Sequence, residues 1–556
     1  MQAWSPATGS FSCDTPPQHM LQQTRDLARA LAYCTNAELG TDAPDRGDPT
    51  EIGLLYAARM LGWDASSPRD HSHQSRRALF HFDPVLKLMS TVDQVGDVLM
   101  VHTKGAPESV LERCDISDEV SDAARRFLHD AAGTGLRVLA IAQRPIDRIP
   151  ADRRDAEQSL QLLGLIALHD PPRPEVAAAV VACHTAGIRI IMVTGDHPVT
   201  AAAIAQQIGI VGMTPRVVTE HELDDMPETE LDALLASDAE LVFARSTPEA
   251  KLRIASSLES QHCVVAMTGD GVNDAPALRR ADIGIAMGAS GTDVAREAAT
   301  VVLADDNFAT IVSAIHMGRV IYANIRKFIV YIFAHLTPEI VPFLVFALSG
   351  GSIPLPLTIM QLLAFDVGTE TLPALALGRE PAEPGILTQP PRPAGQQLVQ
   401  TPMLLRAWLF LGVIAATLQM AAYLHVLLRA GWSPGDDVSV GSALHHTYMQ
   451  ATTVTFLSMV AAQIGTAYAA RTDRASIRQV GVLSNPLLLW GIAFEVAIAA
   501  AFVSIPPLQQ VLGTALPDPI DLAIIASFPI IVWGADEVRK LLIRRHVRRS
   551  ELRQPS

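Results

Sequence analysis

The sequence predicts an α/β soluble half followed by an all-α bundle of six transmembrane helices. Of the 556 residues, 49% are hydrophobic and 18% are charged. This composition is too apolar for an ordinary soluble enzyme and too charged for a chain that lies wholly in a membrane. The long apolar blocks all follow residue 320, so the two halves are expected to have different surroundings. A net charge of −15 argues against a nucleic-acid partner, which a basic face would bind.

Short apolar runs separated by helical patterns predict the α/β half. We expect strands at Val98–Thr103, Gly187–Val193, Glu240–Phe243 and His262–Met267. The five cysteines all precede the apolar half and show no Cys-x-x-Cys spacing, which favours reduced cytosolic thiols over a metal site. Met1–Gly40 does not show the basic start and apolar core of a secretory signal.

Six long apolar blocks predict the membrane half. Most of them reach the ~20 residues that cross a lipid bilayer, and the last needs its flanking residues to do so. The blocks are Phe328–Leu348, Leu355–Leu377, Leu404–Leu428, Tyr448–Ala470, Pro486–Ile505 and Leu522–Trp533.

Charged residues near these blocks predict the topology. Basic residues fall on one side of the six spans and two acidic residues fall on the other, which places the soluble half and both termini in the cytoplasm. The basic positions are Arg319, Arg326, Lys327, Arg471, Arg474, Arg478 and the tail Lys540–Arg549, and the acidic positions are Asp436 and Asp437.

The run MTGDGVNDAPAL at Met267–Leu278 carries two aspartates on a glycine-hinged turn after an apolar strand. Gly269 and Gly271 allow the backbone to bend sharply there. Short carboxylates such as Asp270 and Asp274 can then hold Mg²⁺ beside a phosphoryl group. In this motif the chain resembles the P-type ATPases, the cation pumps that phosphorylate themselves on an aspartate.

The resemblance implies that residues 1–165 form an α+β nucleotide-binding domain that is incomplete at its N-terminal side. Four motifs occur in the order typical of this family. They are GDPTE at Gly47–Glu51, FDPVLKLMS at Phe82–Ser90, KGAPE at Lys104–Glu108 and GLRVLA at Gly135–Ala140.

By the same resemblance these motifs would bind ATP. Phe82 would stack on adenine, and Glu51 would meet the exocyclic amine of the base. Lys87, Lys104 and Arg137 would neutralise the phosphates or support the ribose. KGAPE taken alone is more simply a turn with a solvated lysine, so the ATP interpretation depends on the order of the four motifs.

Residues 166–320, which begin close to the DPPR motif, would form the phosphorylation domain of haloacid-dehalogenase-like fold, without its nucleophile segment. Thr194 could bond a phosphoryl oxygen, Lys251 could offset the charge of an aspartyl phosphate, and Asp270 would be a Mg²⁺ ligand. Taken singly, Thr194 or Lys251 could equally be a helix cap or a surface charge. The further implied positions are Asp196 in catalysis, Gly195 in nucleotide binding, and Asn273 and Asp274 in organising the magnesium site.

The phosphorylated aspartate of this family stands in an Asp-Lys-Thr-Gly-Thr segment, and these 556 residues contain no such segment. We therefore expect the chain to correspond to the C-terminal portion of a pump. The actuator domain and the first four membrane helices would lie upstream, so the chain would cover about half to two-thirds of a whole pump.

Carboxylates inside the membrane blocks predict the ion site, because charged side chains are costly there and are kept for function. Glu339 follows Pro338, which frees backbone carbonyls in its helix. Asp366, Thr369 and Glu370 fall at i, i+3 and i+4, on one face of an α-helix. Oxygen ligands of this kind suit a hard cation rather than a soft metal.

The pattern PEI…DxGTE…LPALALG resembles the sodium/potassium and calcium pump branch, and more closely the former. On the fourth block, Gln463 and Thr466 lie where this family offers extra ligands, although a packing role is favoured for both. We expect His335 to make a polar contact between helices rather than to bind the ion.

We therefore expect part of a type II-like cation-transporting ATPase of the plasma membrane. It would use ATP and Mg²⁺ and move an inorganic cation across the lipid bilayer, and it would be inactive as this chain alone. Two alternatives stay open. One is a truncated or degenerate membrane protein that binds nucleotide without transport, and the other is half of a split pump whose partner chain supplies the aspartate. The six apolar blocks and the absent nucleophile exclude a soluble phosphatase of the same fold.

Overall fold

The computed structural model describes residues 1–14, 24–40, 44–63, 75–83, 86–393 and 395–551. Pro84 and Val85 of the predicted ATP motif and residues 552–556 lie outside the described residues. The chain forms two compact units, one of Met1–His184 with Arg189–Ala309 and one of Thr185–Ile188 with the residues from Thr310 onward. The predicted division of the chain into a nucleotide-binding domain (1–165), a phosphorylation domain (166–320), a membrane part (321–540) and a basic tail (541–556) stays a prediction.

A seven-stranded antiparallel sheet dominates the first unit, with the strand order β2-β1-β7-β6-β5-β4-β3. The predicted strand from Val98 is present as β5. The seven strands are β1 Gln2–Ser5, β2 Gly9–Ser12, β3 Arg76–Asp83, β4 Leu88–Val95, β5 Val98–Gly105, β6 Arg137–Ile146 and β7 Gln161–Leu168.

Helices cover both faces of this sheet because its apolar residues point to both sides. Ile141 and Ile166 belong to a core with helices α1 (Arg25–Tyr33) and α2 (Pro49–Met60). Their chain neighbours Ala140 and Leu165 belong to a second core, built on α3 and α4. The alternation follows from the two-residue period of a strand. The other helices that accompany the sheet are α3 Pro107–Leu111, α4 Asp118–Gly133 and α5 Arg153–Ala156.

Two three-stranded parallel sheets and their connecting helices make up the rest of the first unit, as the α/β prediction requires. Their strand orders are β8-β10-β9 and β11-β12-β13. The elements are α6 Val176–Thr185, β8 Met192–Val193, α7 Pro198–Gln207, β9 Arg216–Thr219, α8 Glu220–Asp225, α9 Glu228–Ala236, β10 Leu241–Ala244, α10 Pro248–Ser260, β11 Ala266–Gly269, α11 Ala275–Arg280, β12 Ile283–Met287, α12 Asp293–Ala298 and β13 Val301–Leu303.

Two predicted strands are shorter than expected, and the backbone gives the reason. Gly187 has a φ of +69° and His262 a φ of +60°, which an extended strand cannot contain. Strand β8 therefore begins only at Met192, and β11 begins at Ala266. The predicted bounds Gly187–Val193 and His262–Met267 were wrong at their N-terminal ends.

The second unit is helical. Its elements are α13 Phe308–Leu348, α14 Ile359–Phe365, a π-helical segment Asp366–Glu370, α15 Thr371–Leu377, α16 Thr401–Leu404, a π-helical segment Leu405–Gly412, α17 Val413–Arg429, α18 His445–Ala470, α19 Ile477–Val480, α20 Pro486–Ser504, α21 Pro506–Leu512, α22 Pro519–Ile525 and α23 Phe528–Glu551.

Within the described ranges, five helical stretches are long and apolar enough to cross a membrane, which makes the chain a multi-pass membrane protein. The predicted block Leu355–Leu377 is helical from Ile359, but its π segment divides it into three parts. The count of six spans therefore stays a prediction. The five stretches are Phe308–Leu348, Thr401–Arg429, His445–Ala470, Pro486–Ser504 and Pro519–His546.

Helix α18 lies at the centre of the bundle, where α17, α20, α22 and α23 contact it. Gly465 permits one of these approaches, that of α23. A Cβ atom at this position would lie 2.7 Å from the carbonyl oxygen of Pro529 on α23. The backbones of the two helices can therefore meet only because this residue has no side chain.

Candidate functional site

Three of the predicted ATP-binding side chains gather at the start of helix α2. Lys104 on β5 donates a hydrogen bond of 2.5 Å to Glu51 Oε1, while Glu51 Oε2 accepts a bond from the amide of Asn36 at 2.9 Å. Arg137 Nη1 donates to the Thr50 hydroxyl at 3.4 Å. Because Glu51 and Lys104 form an ion pair, the lysine charge is already compensated before any phosphate arrives.

The other two predicted ATP-binding side chains lie at the β3–β4 hairpin. Phe82 on β3 keeps 59% of its surface exposed, which leaves its ring free to stack. Lys87 has a φ of +56°, and its ammonium nitrogen lies 3.7 Å from a carboxylate oxygen of Glu220. A Cβ atom at Gly105 would come within 2.5 Å of the Lys87 carbonyl, so glycine is required where the KGAPE motif passes the hairpin.

Asp274 organises the glycine-hinged turn after β11. Its Oδ1 accepts a 2.6 Å hydrogen bond from Lys251 Nζ on α10. Its Oδ2 accepts backbone N–H bonds from Asp270 at 3.2 Å and Gly271 at 3.1 Å. A Cβ atom at Gly269 would lie 2.4 Å from the Cβ of Asp274, so the turn closes only around a glycine. The structure thus joins Lys251 to the aspartate motif as one assembly.

The side chains of Asp270 and Asn273 project from the same turn and are exposed. Among the described residues, none donates a hydrogen bond to the carboxylate oxygens of Asp270, whereas those of Asp274 are fully engaged. A free carboxylate with a neighbouring amide oxygen is the hard-oxygen donor set that Mg²⁺ prefers. These residues therefore fit a magnesium ion.

Thr194, Gly195 and Asp196 form a tight turn after β8. The Thr194 hydroxyl donates to Asp196 Oδ2 and accepts the Asp196 amide, both at 3.2 Å. The Thr194 amide donates to the Phe243 carbonyl at the end of β10 at 2.9 Å. No hydrogen bond between described residues connects this turn to Asp270, and the strands that precede the two turns belong to different sheets.

His197 begins helix α7 directly after this turn and acts as its cap, because Nδ1 accepts the amide of Val199 at 3.3 Å. Burial lowers the pKa of His197, and the nearby charge of Arg245 lowers it further. Both effects favour the neutral imidazole, which is the form that can accept the capping hydrogen bond.

Three carboxylates come together in the helical unit. One ligand oxygen from each of Glu339 on α13 and Asp366 and Glu370 in the π segment lies within 4.8 Å of the other two. Glu370 Oε1 is 3.0 Å from Nδ1 of His335, so the interhelical contact predicted for this histidine is present. The buried Oδ1 of Asp366 has no hydrogen-bond partner among the described residues. We refer to Glu339, Asp366 and Glu370 as the carboxylate cage.

The predicted α-helical face is wrong in one respect, because residues 366–370 are π-helical. A π segment is often found at functional sites, and here it rearranges the side chains of one turn. The Thr369 hydroxyl donates to the Phe365 carbonyl at 2.8 Å and lies 3.4 Å from Gln463 Oε1. Gln463 donates to the Tyr331 hydroxyl at 2.7 Å, whereas the Thr466 hydroxyl bonds only within its own helix among the described residues.

Sequence reasoning missed a further carboxylate in the helical unit, Glu495 on α20. This side chain is fully buried, and both of its oxygens lack hydrogen-bond partners among the described residues. Helix α20 packs on the π segment, where Gly368 would place a Cβ 3.3 Å from the ring of Phe502. A lone glutamate inside an apolar block was the available signal.

Two models of known protein families match this chain, one in each of its two units. Residues 23–175 match the family model described as P-type ATPase, cytoplasmic domain N. Residues 354–542 match the model described as Cation transporting ATPase, C-terminus.

Similar curated proteins are sodium/potassium-transporting ATPase alpha subunits. Subunit alpha-2 of Gallus gallus is 34% identical over 569 residues, which are 90% of this chain and 55% of that protein. The alpha subunit of Hydra vulgaris is 32% identical, and subunit alpha-1 of Oreochromis mossambicus is 35% identical; each alignment covers 94% of this chain and 58% of the relative.

A helical unit with membrane-length helices and a carboxylate cage, preceded by an α/β unit with an aspartate-glycine turn, defines a multi-pass membrane protein. With these matches, the chain belongs to the P-type cation-transporting ATPases, type II. It spans between 55% and 58% of the length of the curated relatives described above.

Proposed function

We propose that this chain supplies the nucleotide, phosphoryl-transfer and cation-binding parts of an ATP-driven cation pump of the plasma membrane. The observation that carries the proposal is the cage of Glu339, Asp366 and Glu370. Three carboxylates this close repel each other strongly in an apolar bundle unless a cation or protons neutralise them. The cage offers only hard oxygen ligands, which suit an alkali or alkaline-earth cation.

The transported ion would be an inorganic cation such as sodium or potassium, since the similar proteins are named for these ions. Glu495 would extend the cage, because its two unpaired oxygens are buried in a helix that packs on the π segment. Thr369 would contribute its hydroxyl oxygen, and the same hydroxyl contacts Oε1 of Gln463 on the neighbouring helix α18. We further propose that the block from Leu355 to Leu377 is a sixth span and that both termini are cytoplasmic.

For the soluble unit we propose that ATP binds between the hairpin of Phe82 and Lys87 and the cluster at the start of α2. The exposed ring of Phe82 would hold the base. Lys104 and Arg137 would bind phosphate oxygens once Glu51 turns to the adenine amine, which requires the Glu51–Lys104 pair to open.

The two parallel sheets would be parts of a haloacid-dehalogenase-like phosphorylation domain. Asp270 and Asn273 would hold Mg²⁺, which supplies positive charge next to the transferred phosphoryl group. Asp274 positions Lys251 through their 2.6 Å bond, and Lys251 would offset the charge on the same group. The turn Thr194–Asp196 would donate to phosphoryl oxygens, with Gly195 leaving room, since a Cβ there would meet no atom within 4 Å.

The acceptor aspartate would lie outside these 556 residues, because the Asp-Lys-Thr-Gly-Thr segment does not occur in them. Either the same polypeptide or a separate chain could supply it. Positioning without an acceptor cannot transfer the phosphoryl group, since the reaction needs a nucleophile in line with the leaving oxygen.

Phosphorylation from labelled ATP tests the proposal. Vesicles containing only this polypeptide should form no acid-stable phosphoenzyme, and adding a polypeptide with the acceptor segment and the preceding helices should restore it in a cation-dependent manner. Asp366→Asn should abolish the cation dependence, whereas Asp437→Asn, which changes an exposed loop aspartate, should not. A phosphorylated aspartate mapped within Met1–Ser556, or normal cation dependence in Asp366→Asn, would refute the proposal.

A further inference from the structure

Another buried carboxylate of the helical unit, Glu380, lies ten residues beyond Glu370 and outside the cage. It is 2% exposed, and both of its oxygens are hydrogen-bonded. Oε1 accepts a hydrogen bond from Nε of Arg471 at 2.8 Å, and Nη2 of the same guanidinium forms an ion pair with this oxygen at 2.8 Å. Oε2 accepts from Asn485 Nδ2 at 2.7 Å.

The partners of Glu380 belong to the helices that carry the cage and its neighbours. Arg471 directly follows α18, which carries Gln463. Asn485 caps α20, which carries Glu495, by accepting the Leu488 amide at 3.0 Å.

The main chain of Glu380 completes the connection. Its carbonyl accepts a 2.7 Å hydrogen bond from Asn324 Nδ2, and Asn324 lies on α13, the helix of Glu339 and His335. Glu380 itself follows α15, which continues the π segment of Asp366 and Glu370. Glu380 therefore connects the interior of α13 with the ends of α15, α18 and α20.

We propose that Glu380 is a positioning residue for the carboxylate cage. The inference rests on the proposed function of the cage as a cation site. Helices are stiff, and the helix from Glu370 to the end of α15 at Leu377 is roughly 10 Å long, so a small rotation at Glu380 moves the ligand oxygens. Binding sites tolerate displacements of only about 0.5 Å, so releasing the helix ends loosens the cage without removing a ligand.

The burial of Arg471 explains why the charge of Glu380 is needed. Arg471 is fully buried, so neutralising Glu380 leaves an uncompensated guanidinium among the helix ends. A matched control exists at Asp536 on α23, which is also fully buried and pairs with Arg406 at 2.7 Å and Lys540 at 3.0 Å. Neither α23 nor the segment of Arg406 carries a cage residue.

Cation binding by the full chain in lipid nanodiscs tests the inference. Na⁺, K⁺ and Ca²⁺ are titrated separately by calorimetry into wild type, Asp366→Asn, Glu380→Gln and Asp536→Asn. We expect Glu380→Gln to weaken the tightest cation at least fivefold more than Asp536→Asn does. It should also change the ratio of affinities among the three ions, because the spacing of the ligands changes. A general loss of stability would weaken all three in proportion.

The outcomes separate the two proposals. If wild type binds none of the three ions, or Asp366→Asn binds as wild type does, the cation site itself is refuted, and the positioning role with it. If Asp366→Asn abolishes binding but Glu380→Gln differs from Asp536→Asn by less than fivefold, or leaves the ratio unchanged, only the positioning role is refuted. If Glu380→Gln does not fold, Asn324→Ala takes its place. This variant removes the bond between α13 and the Glu380 carbonyl but keeps the pair of Glu380 with Arg471, and the same two criteria apply to it.

Discussion

Replacing Phe82 by alanine is the sharpest test of the nucleotide site, because the structure separates its effect on binding from its effect on stability. The side chain keeps 59% of its surface exposed, so only about two-fifths of it is covered. Complete burial of a phenylalanine contributes about 1.5–3 kcal/mol, so truncation should cost at most roughly 1 kcal/mol of folding free energy. The loss of a base-stacking ring should cost about 1–3 kcal/mol of binding free energy.

That loss corresponds to a roughly 5- to 150-fold weaker Kd for ATP. The assay is calorimetric titration of ATP into the full chain in nanodiscs, with thermal unfolding measured on the same samples. Val98→Ala is the matched control, since Val98 is 47% exposed at the opposite end of β5 from Lys104. Phe82→Trp should bind ATP at least as tightly as wild type. A Kd for Phe82→Ala within twofold of that of Val98→Ala would refute the assignment of Phe82 to the adenine.

Three further predictions concern stability, each measured by unfolding of the full chain in nanodiscs. Gly269→Ala should lower the free energy of unfolding by about 1.5–3 kcal/mol. The added Cβ would lie 2.4 Å from the Cβ of Asp274 and would break the charge-assisted bond between Asp274 and Lys251. An unchanged melting temperature would contradict this geometry. The neutral His197, which is half-buried, should contribute stability that is fully present above its ordinary pKa of 6.5 and is lost as the pH falls through its lowered pKa. His197→Asn, which can still cap the helix, should flatten this dependence. Gly465→Val should cost about 1–3 kcal/mol by overpacking, whereas Gly534→Ala, with no atom within 4 Å of its Cβ, should be neutral or stabilising.

Local signals in the sequence were sufficient to predict several parts of the structure. Long apolar runs produce the five membrane-length helices. Glu339 lies in one of these runs and Asp366 and Glu370 lie in the predicted block Leu355–Leu377, and these positions indicated a shared site. Their proximity is observed, and their role as ligands stays a proposal. The motif of Asp270 and Asp274 likewise forms the expected turn, because glycine spacing acts over a few residues.

Features that depend on contacts between distant residues could not be predicted. The Glu51–Lys104 pair joins positions 53 residues apart, and no periodicity relates them. Glu495 faces the π segment only because two helices pack there. Strand bounds failed at Gly187 for a related reason, since its apolar neighbours are compatible with a strand but its positive φ is not visible in the sequence.

The π-helical segment Asp366–Glu370 has a consequence for how this protein can change over evolutionary time. Such a segment accommodates one residue more than the α-helix it interrupts, and an α-helix turns about 100° per residue. Deleting one residue there would let the helix run straight, but everything beyond it would rotate by about that angle. Glu380 would then face away from Arg471. Point substitutions can therefore change the cage carboxylates one at a time. An insertion or deletion in this turn would instead disrupt both the cage and the Glu380–Arg471 pair in a single event.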